Sequence, residues 1–272
     1  MGNSPAVKEA LEAANLKYMQ VEDEYGLFFR GDHRDDMVVV AKEIDDYVLV
    51  HTAVPEFPAE HEETVARNYL HLTFNADMFK LARRASGEYT IAAEFPLTLV
   101  TPRTLEAAIR GAVHLVDLRP EDLLSLEAMQ PSNLAVSLRT ATLLEPEIEA
   151  VEEGLPDLLA DLGIHPRVGW DGKAFLFDHQ MGDLQIALLA VSQRAVVSLV
   201  AFFSDLRPSG DLLAYYRKMA DANLQMDVCK VALSDEDTVA FMYQVPIPDA
   251  AALRQALERL EVYIPTTGML LL

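Results

Sequence analysis

Apolar residues fall into short alternating runs over Tyr25–Arg30, Met37–Ile44 and Tyr47–Val54, rich in β-branched and aromatic side chains and separated by the polar turns Gly31–Asp36 and Asp45–Asp46. Successive side chains of a strand point to opposite faces, so this pattern predicts three antiparallel strands, the last ending ahead of Pro55. The period then changes. After Pro58, the acidic Glu60, Glu62 and Glu63 lead into Val65, Tyr69 and Leu72 at a spacing of three to four, which predicts an amphipathic helix with one buried face and acids at its positive end. Alternation returns over Met78–Arg83 and Tyr89–Leu97, a hairpin around Ala85-Ser86-Gly87, and Pro102 opens a helix whose Leu105, Ala108, Ile109 and Ala112 share a stripe. Ahead of the first strand, Ser4-Pro5 starts a helix through Asn15, with Ser4 as its N-cap.

The same order of elements recurs from Leu155 to Tyr263. Gly26, Phe29, Asp32 and His33 match Gly172, Phe175, Asp178 and His179 at an offset of 146, and Asn75 matches Asn223 at 148. Lys80 and Pro96 match Lys230 and Pro246 at 150, with apolar positions conserved in character between them. A repeated pattern of this length predicts two copies of one α+β domain, each a helix, three strands, a helix, two strands and a helix, with an antiparallel sheet and helices packed on it. The copies span residues 1–118 and 150–272. Residues 119–149, rich in Leu and Glu, predict a helical linker.

An amphipathic helix ending in Asn, a strand carrying Lys, a hairpin, a strand ending in Pro and a final helix together resemble the YbjN family, which shares its fold with the type III secretion chaperones. Asn75, Lys80 and Pro96 carry the resemblance in the first copy, and Asn223, Lys230 and Pro246 in the second. It implies a helix-and-sheet domain that binds other proteins, often as a dimer, with no established active site. The duplication in one chain departs from that pattern, and so does the Ala85–Glu88 hairpin, which lacks the usual acidic turn.

Composition narrows the function. A formal net charge of -21, from 22 Lys+Arg against 43 Asp+Glu, repels phosphate backbones and anionic headgroups, so no direct nucleic-acid or membrane binding is expected, while basic protein surfaces are attracted. With Cys229 alone an intrachain disulfide is impossible, and neither a signal sequence over Met1–Ala14 nor a membrane-spanning run is present; a cytoplasmic protein, bacterial in style, is expected. Cys229 stands opposite Phe79 in the repeat and reads as a buried core thiol. The paired turns Asp32-His33 and Asp178-His179 offer oxygen and imidazole donors, yet Asp in turns is explained by its own hydrogen bonding, and no metal site is assigned. No phosphate-cradling glycine run, metalloprotease spacing at His61 or nucleophile elbow exists. No enzyme, cofactor or catalytic residue is expected; a hydrolase reading would need His33 and His179.

The expectation is therefore a non-enzymatic chaperone-like, adaptor or regulatory protein that engages basic partners, including nucleic-acid-binding proteins, through its acidic surface. It would act as a homodimer or an intrachain pseudodimer. Tyr69, Tyr215 and Tyr216 on the inner helices are the candidate partner contacts. The apolar run Val196–Phe203 predicts a strand covered on both faces, and Met269–Leu272, after the breaker Gly268, a docked tail. An open sheet edge could accept an extended peptide. The alternative is a small-molecule-sensing regulator with a ligand groove between the repeats.

Overall fold

The computed structural model describes residues 5–127, 129, 154–169, 174–193, 196–246 and 249–271. The first half runs α1 (Ala6–Ala13), β1 (Met19–Val21), β2 (Glu24–Phe29), β3 (Met37–Ile44), β4 (Tyr47–Ala53), α2 (Glu62–Asn75), β5 (Phe79–Arg83), β6 (Tyr89–Pro96) and α3 (Pro102–Val116). The second half repeats this as α4 (154–161), β7 (Arg167–Val168), β8 (Ala174–Met181), β9 (Leu184–Gln193), β10 (Val196–Phe203), α5 (Leu212–Gln225), β11 (Cys229–Leu233), β12 (Val239–Pro246) and α6 (Ala250–Leu271). Each half is thus α+β as expected, with one further short strand, β1 or β7, ahead of the hairpin.

Both sheets are antiparallel and six-stranded, in the orders β1-β2-β3-β4-β6-β5 and β7-β8-β9-β10-β12-β11. In sheet 1 the inward residues Val39, Ala41, Val48, Val50, Ile91 and Ala93 are buried with Leu11 of α1 and Leu105, Ala108 and Ala112 of α3 in one core that continues into the second half. Helix starts are capped in two ways. Thr101 and Thr104 form a reciprocal capping box ahead of Pro102. At α1 the amide of Val7 donates to Glu43 Oε1 of β3 at 2.8 Å, so the cap comes from the sheet; Ser4 lies outside the described residues.

The strand register corrects the repeat. Tyr25 pairs with Ala41 and Ala41 with Val50, as Phe175 pairs with Ala190 and Ala190 with Leu199, so equivalent residues stand 149 or 150 apart from β2 onward. The identities at an offset of 146 are coincidental. Asp32 and His33 lie in the β2–β3 loop, whereas Asp178 and His179 lie within β8, paired with Ala187 and Ile186. Asn75 and Asn223 are not equivalent either: Asn75 is exposed, while buried Asn223 occupies the position of Thr73. Lys80 and Lys230 do match, paired with Ala92 and Met242 at equivalent places.

The two halves face each other through their inner edges, α2 and β5 against α5 and β11. Lys80 Nζ reaches across to the carbonyl of Met226 at the end of α5, and Lys230 Nζ to those of Ala76 at 2.8 Å and Phe79 at 3.2 Å, at and just beyond the end of α2. Each ammonium sits at the negative end of the other half's helix. Met78 and Val228 hold left-handed backbones, φ 62 and 59, strained for side-chain-bearing residues. The amide of Met78 donates to Gln244 Oε1, and that of Val228 to Glu94 Oε2, each at 2.6 Å. Arg67 and Arg217, equivalent in α2 and α5, form two-pronged pairs with Asp237 and Glu62 of the opposite half. The lysine and amide ties are reciprocal, as in an isologous interface closed within one chain, while the two arginines reach acids at non-equivalent places.

Two further expectations change. Gly268 does not break α6, which continues to Leu271; Met269 and Leu270 are exposed and Leu271 is buried. The helix expected between the copies falls, from residue 130 on, outside the described residues; ahead of it Asp122–Leu124 makes one 3-10 turn, pinned by Asn68 Nδ2 donating to the Leu123 carbonyl at 2.9 Å. Val196–Ala201 is buried on both faces, and Phe74 of α2 packs on its outward side.

Candidate functional site

Sheet 1 turns one face toward α1 and α3 and leaves the other largely uncovered. On that open face the register sets Met19, Gly26, Val40, His51, Ala92 and Lys80 in one row across six strands. The next row holds Val21, Glu24, Lys42, Leu49 and Glu94. Alternation within each strand, with Val48 and Val50 inward, is what turns Leu49 and His51 outward.

The outer end of this face is apolar. Met19, Val21 and Phe28 are 58%, 62% and 65% exposed, and Val38, cross-strand from Phe28, is exposed as well. Glu22, Asp23, Asp35 and Asp36 lie exposed in the adjoining turns. β1 is the sheet's edge, hydrogen-bonded on one side to β2.

The inner end is a cavity of about 480 Å³ that both halves line, with Asn223 and Leu224 of α5 forming one wall over the first half's strands. Its polar groups are ordered by ion pairs. Lys42 Nζ lies 3.0 Å from Glu24 Oε1, and buried Lys80 Nζ 2.7 Å from Glu94 Oε2. Arg84 Nη2 donates to His51 Nδ1 at 2.8 Å and makes no ion pair among the described residues. Burial, reinforced by the Arg84 and Lys42 charges, pushes the His51 imidazole down to about 4, so at neutral pH it is an uncharged acceptor for Arg84. Val40, Leu49 and Ala92 give the cavity an apolar lining.

The equivalent place in sheet 2 is packed. His51, Ala92 and Val40 are replaced by Val200, Met242 and Leu189, and Leu224 by Phe74. These side chains form a small apolar cluster, with the Phe74 ring 6.1 Å from that of Phe202.

The three tyrosines expected at a partner surface are interior. Tyr69, Tyr215 and Tyr216 are 0%, 9% and 2% exposed. Tyr69 Oη donates to the Leu115 carbonyl at 3.2 Å, and Tyr215 Oη to that of Leu206. Their side chains pack into the buried core, which removes them from any outer contact surface. The Asp32-His33 loop is organised by Asp117, whose carboxylate accepts the amides of Asp32, His33 and Arg34 at 2.7, 2.9 and 3.0 Å. Gly31 is required there, since a Cβ would stand 2.2 Å from that carboxylate. His179 instead faces Glu261 of α6 at 2.8 Å. Among the described residues no group of three or more His, Cys, Asp or Glu converges as a metal site would. Cys229 is buried, and burial raises its thiol far above the ordinary value, which leaves it unreactive.

The sequence pattern had singled out none of His51, Arg84 or Lys42, because strand register between β3, β4 and the end of β5 is what brings them together. A correct repeat register would have found them, as polar residues standing where the other copy has Val200, Ser234 and Val191. Among the described residues no helix is long and apolar enough to cross a membrane. No protein-family model matches the chain, and no curated protein is significantly similar to it.

Proposed function

We propose that this chain is a non-enzymatic, YbjN-like protein of the cytoplasm that binds an extended basic segment of another protein, as a chaperone or adaptor. The observation that carries the reading is the outer end of sheet 1. An unpaired edge strand, β1, adjoins exposed Met19, Val21, Phe28 and Val38 within an acidic rim. A sheet edge supplies main-chain hydrogen bonds for strand addition, the apolar side chains supply area, and the acids supply charge complementarity. The inner edges are already covered between the halves, which leaves the outer edges β1 and β7, and β1 is the one flanked by the exposed apolar patch.

The test is a pull-down from source-cell lysate with the chain and with Phe28→Asp/Val38→Asp, at low and moderate salt. Basic proteins retained at low salt, released at moderate salt and absent from the double variant would support the reading. Equal retention by both proteins would refute this face as the contact.

A second reading, a regulator that senses a small molecule between its repeats, is favoured by the cavity lined from both halves.

A further inference from the structure

We propose that the junction cavity binds a small organic anion, a carboxylate on a short apolar body, with Arg84 receiving the carboxylate and the Val40–Leu49–Ala92 wall the apolar part. This rests on the ligand-groove reading and names its chemistry; the partner-binding reading stands apart from it.

Charge makes the first case. Lys42 and Lys80 are each matched by a carboxylate, Glu24 and Glu94. Arg84 is the surplus cation, in a chain whose formal net charge is -21. Acids exceed bases over the whole chain, 43 to 22, so a cavity lined by three cations and two anions runs against the overall charge. Geometry makes the second. The His51 ring accepts from one Arg84 nitrogen and so fixes one side of the guanidinium of Arg84, an exposed residue at the cavity's mouth. A guanidinium carries five N–H donors, and those turned away from His51 present the fork that a carboxylate accepts in two-pronged fashion.

Symmetry makes the third. The second half packs the same place with Met242 and Val200 under Phe74. The fold therefore does not need a void there. A cavity at the one site and a filled apolar cluster at the other differ in a property that packing alone would have made alike. Leu224, 50% exposed at the rim, is the apolar surface that a ligand's body would cover.

The experiment uses the full chain, with hexanoate and 1-hexanol as probes, read by calorimetry and by the His51 ring resonances. Hexanoate is expected to bind at one site per chain, to shift the His51 resonances, and to outbind hexanol by about tenfold, the worth of one charge-assisted contact. Arg84→Met should erase that preference. The double variant His51→Val/Ala92→Met installs the filling that the second half already accommodates, and should abolish binding while circular dichroism stays that of the folded chain. If hexanol binds as tightly as hexanoate, the anion assignment is wrong and the ligand-groove reading survives. If neither probe binds at millimolar concentration, or the filled variant binds unchanged, both fall.

Discussion

Lys230 shows how one residue can carry a pH dependence that its sequence context conceals. Its ammonium is buried and hydrogen-bonds to backbone carbonyls of the other half, whereas its counterpart Lys80 is ion-paired with Glu94. Burial, opposed by Asp77 and reinforced by Lys80, lowers Lys230 from 10.5 to about 7. The folded chain then binds fewer protons at this site than the unfolded chain between about pH 7 and 10.5. The cost of burying the charge is full below pH 7 and is relieved as pH rises through that window. In urea unfolding, the stability of the wild type relative to Lys230→Met should therefore increase from pH 7 to 10, by at most about 1.4 kcal/mol per pH unit. A flat difference across that range would mean that the carbonyls hold the ammonium at its ordinary value. The sequence marked Lys230 as a repeated position, but its burial depends on packing against residues some 150 positions away, which no local pattern encodes. The tyrosines misled for the same reason: a helical stripe of aromatics identifies a covered face without identifying what covers it.

Elements were legible where a pattern ran long enough. Met37–Ile44 and Pro102 as a helix start stand as read, because eight alternating residues or a proline in the first turn have few alternatives. β1 and β7, three and two residues long, carry too little alternation to register. Gly268 read as a breaker because glycine weakens helices intrinsically; with Leu271 buried, tertiary packing outweighs that propensity of about 1 kcal/mol. The β2–β3 loop gives the clearest test at this scale. Three loop amides converge on Asp117 at the end of α3, so Asp117→Ala should destabilise the chain by about 1–3 kcal/mol and accelerate hydrogen exchange at Asp32, His33 and Arg34. Unchanged exchange at those amides would mean that the loop holds its shape unaided. The apparent Asp-His repeat is thus resolved into a carboxylate-anchored loop in one half and a regular strand in the other.

At the scale of the molecule, one apolar core runs through both halves, and two of the ties between them are reciprocal: Lys80 with Lys230 and Met78 with Val228. Neither half completes its own inner edge. Unfolding by urea should accordingly be a single transition, with amides of β6 and β12 reporting the same midpoint in hydrogen exchange; two separated midpoints would mean that the halves are independent. The tandem order was legible from the sequence, but the pairing of the halves was left open between one chain and two. The pairing within the chain also frees the halves from identity. A dimer of identical subunits writes every feature twice, so a cavity in one subunit is a cavity in both, and occupancy of one can influence the other. Here His51 faces an open cavity while Val200, its counterpart, is packed over. If the proposed anion site holds, a cavity open in one half and filled in the other gives one ligand per chain, and titration of a single chain should be hyperbolic, where a paired design would offer two sites able to influence one another.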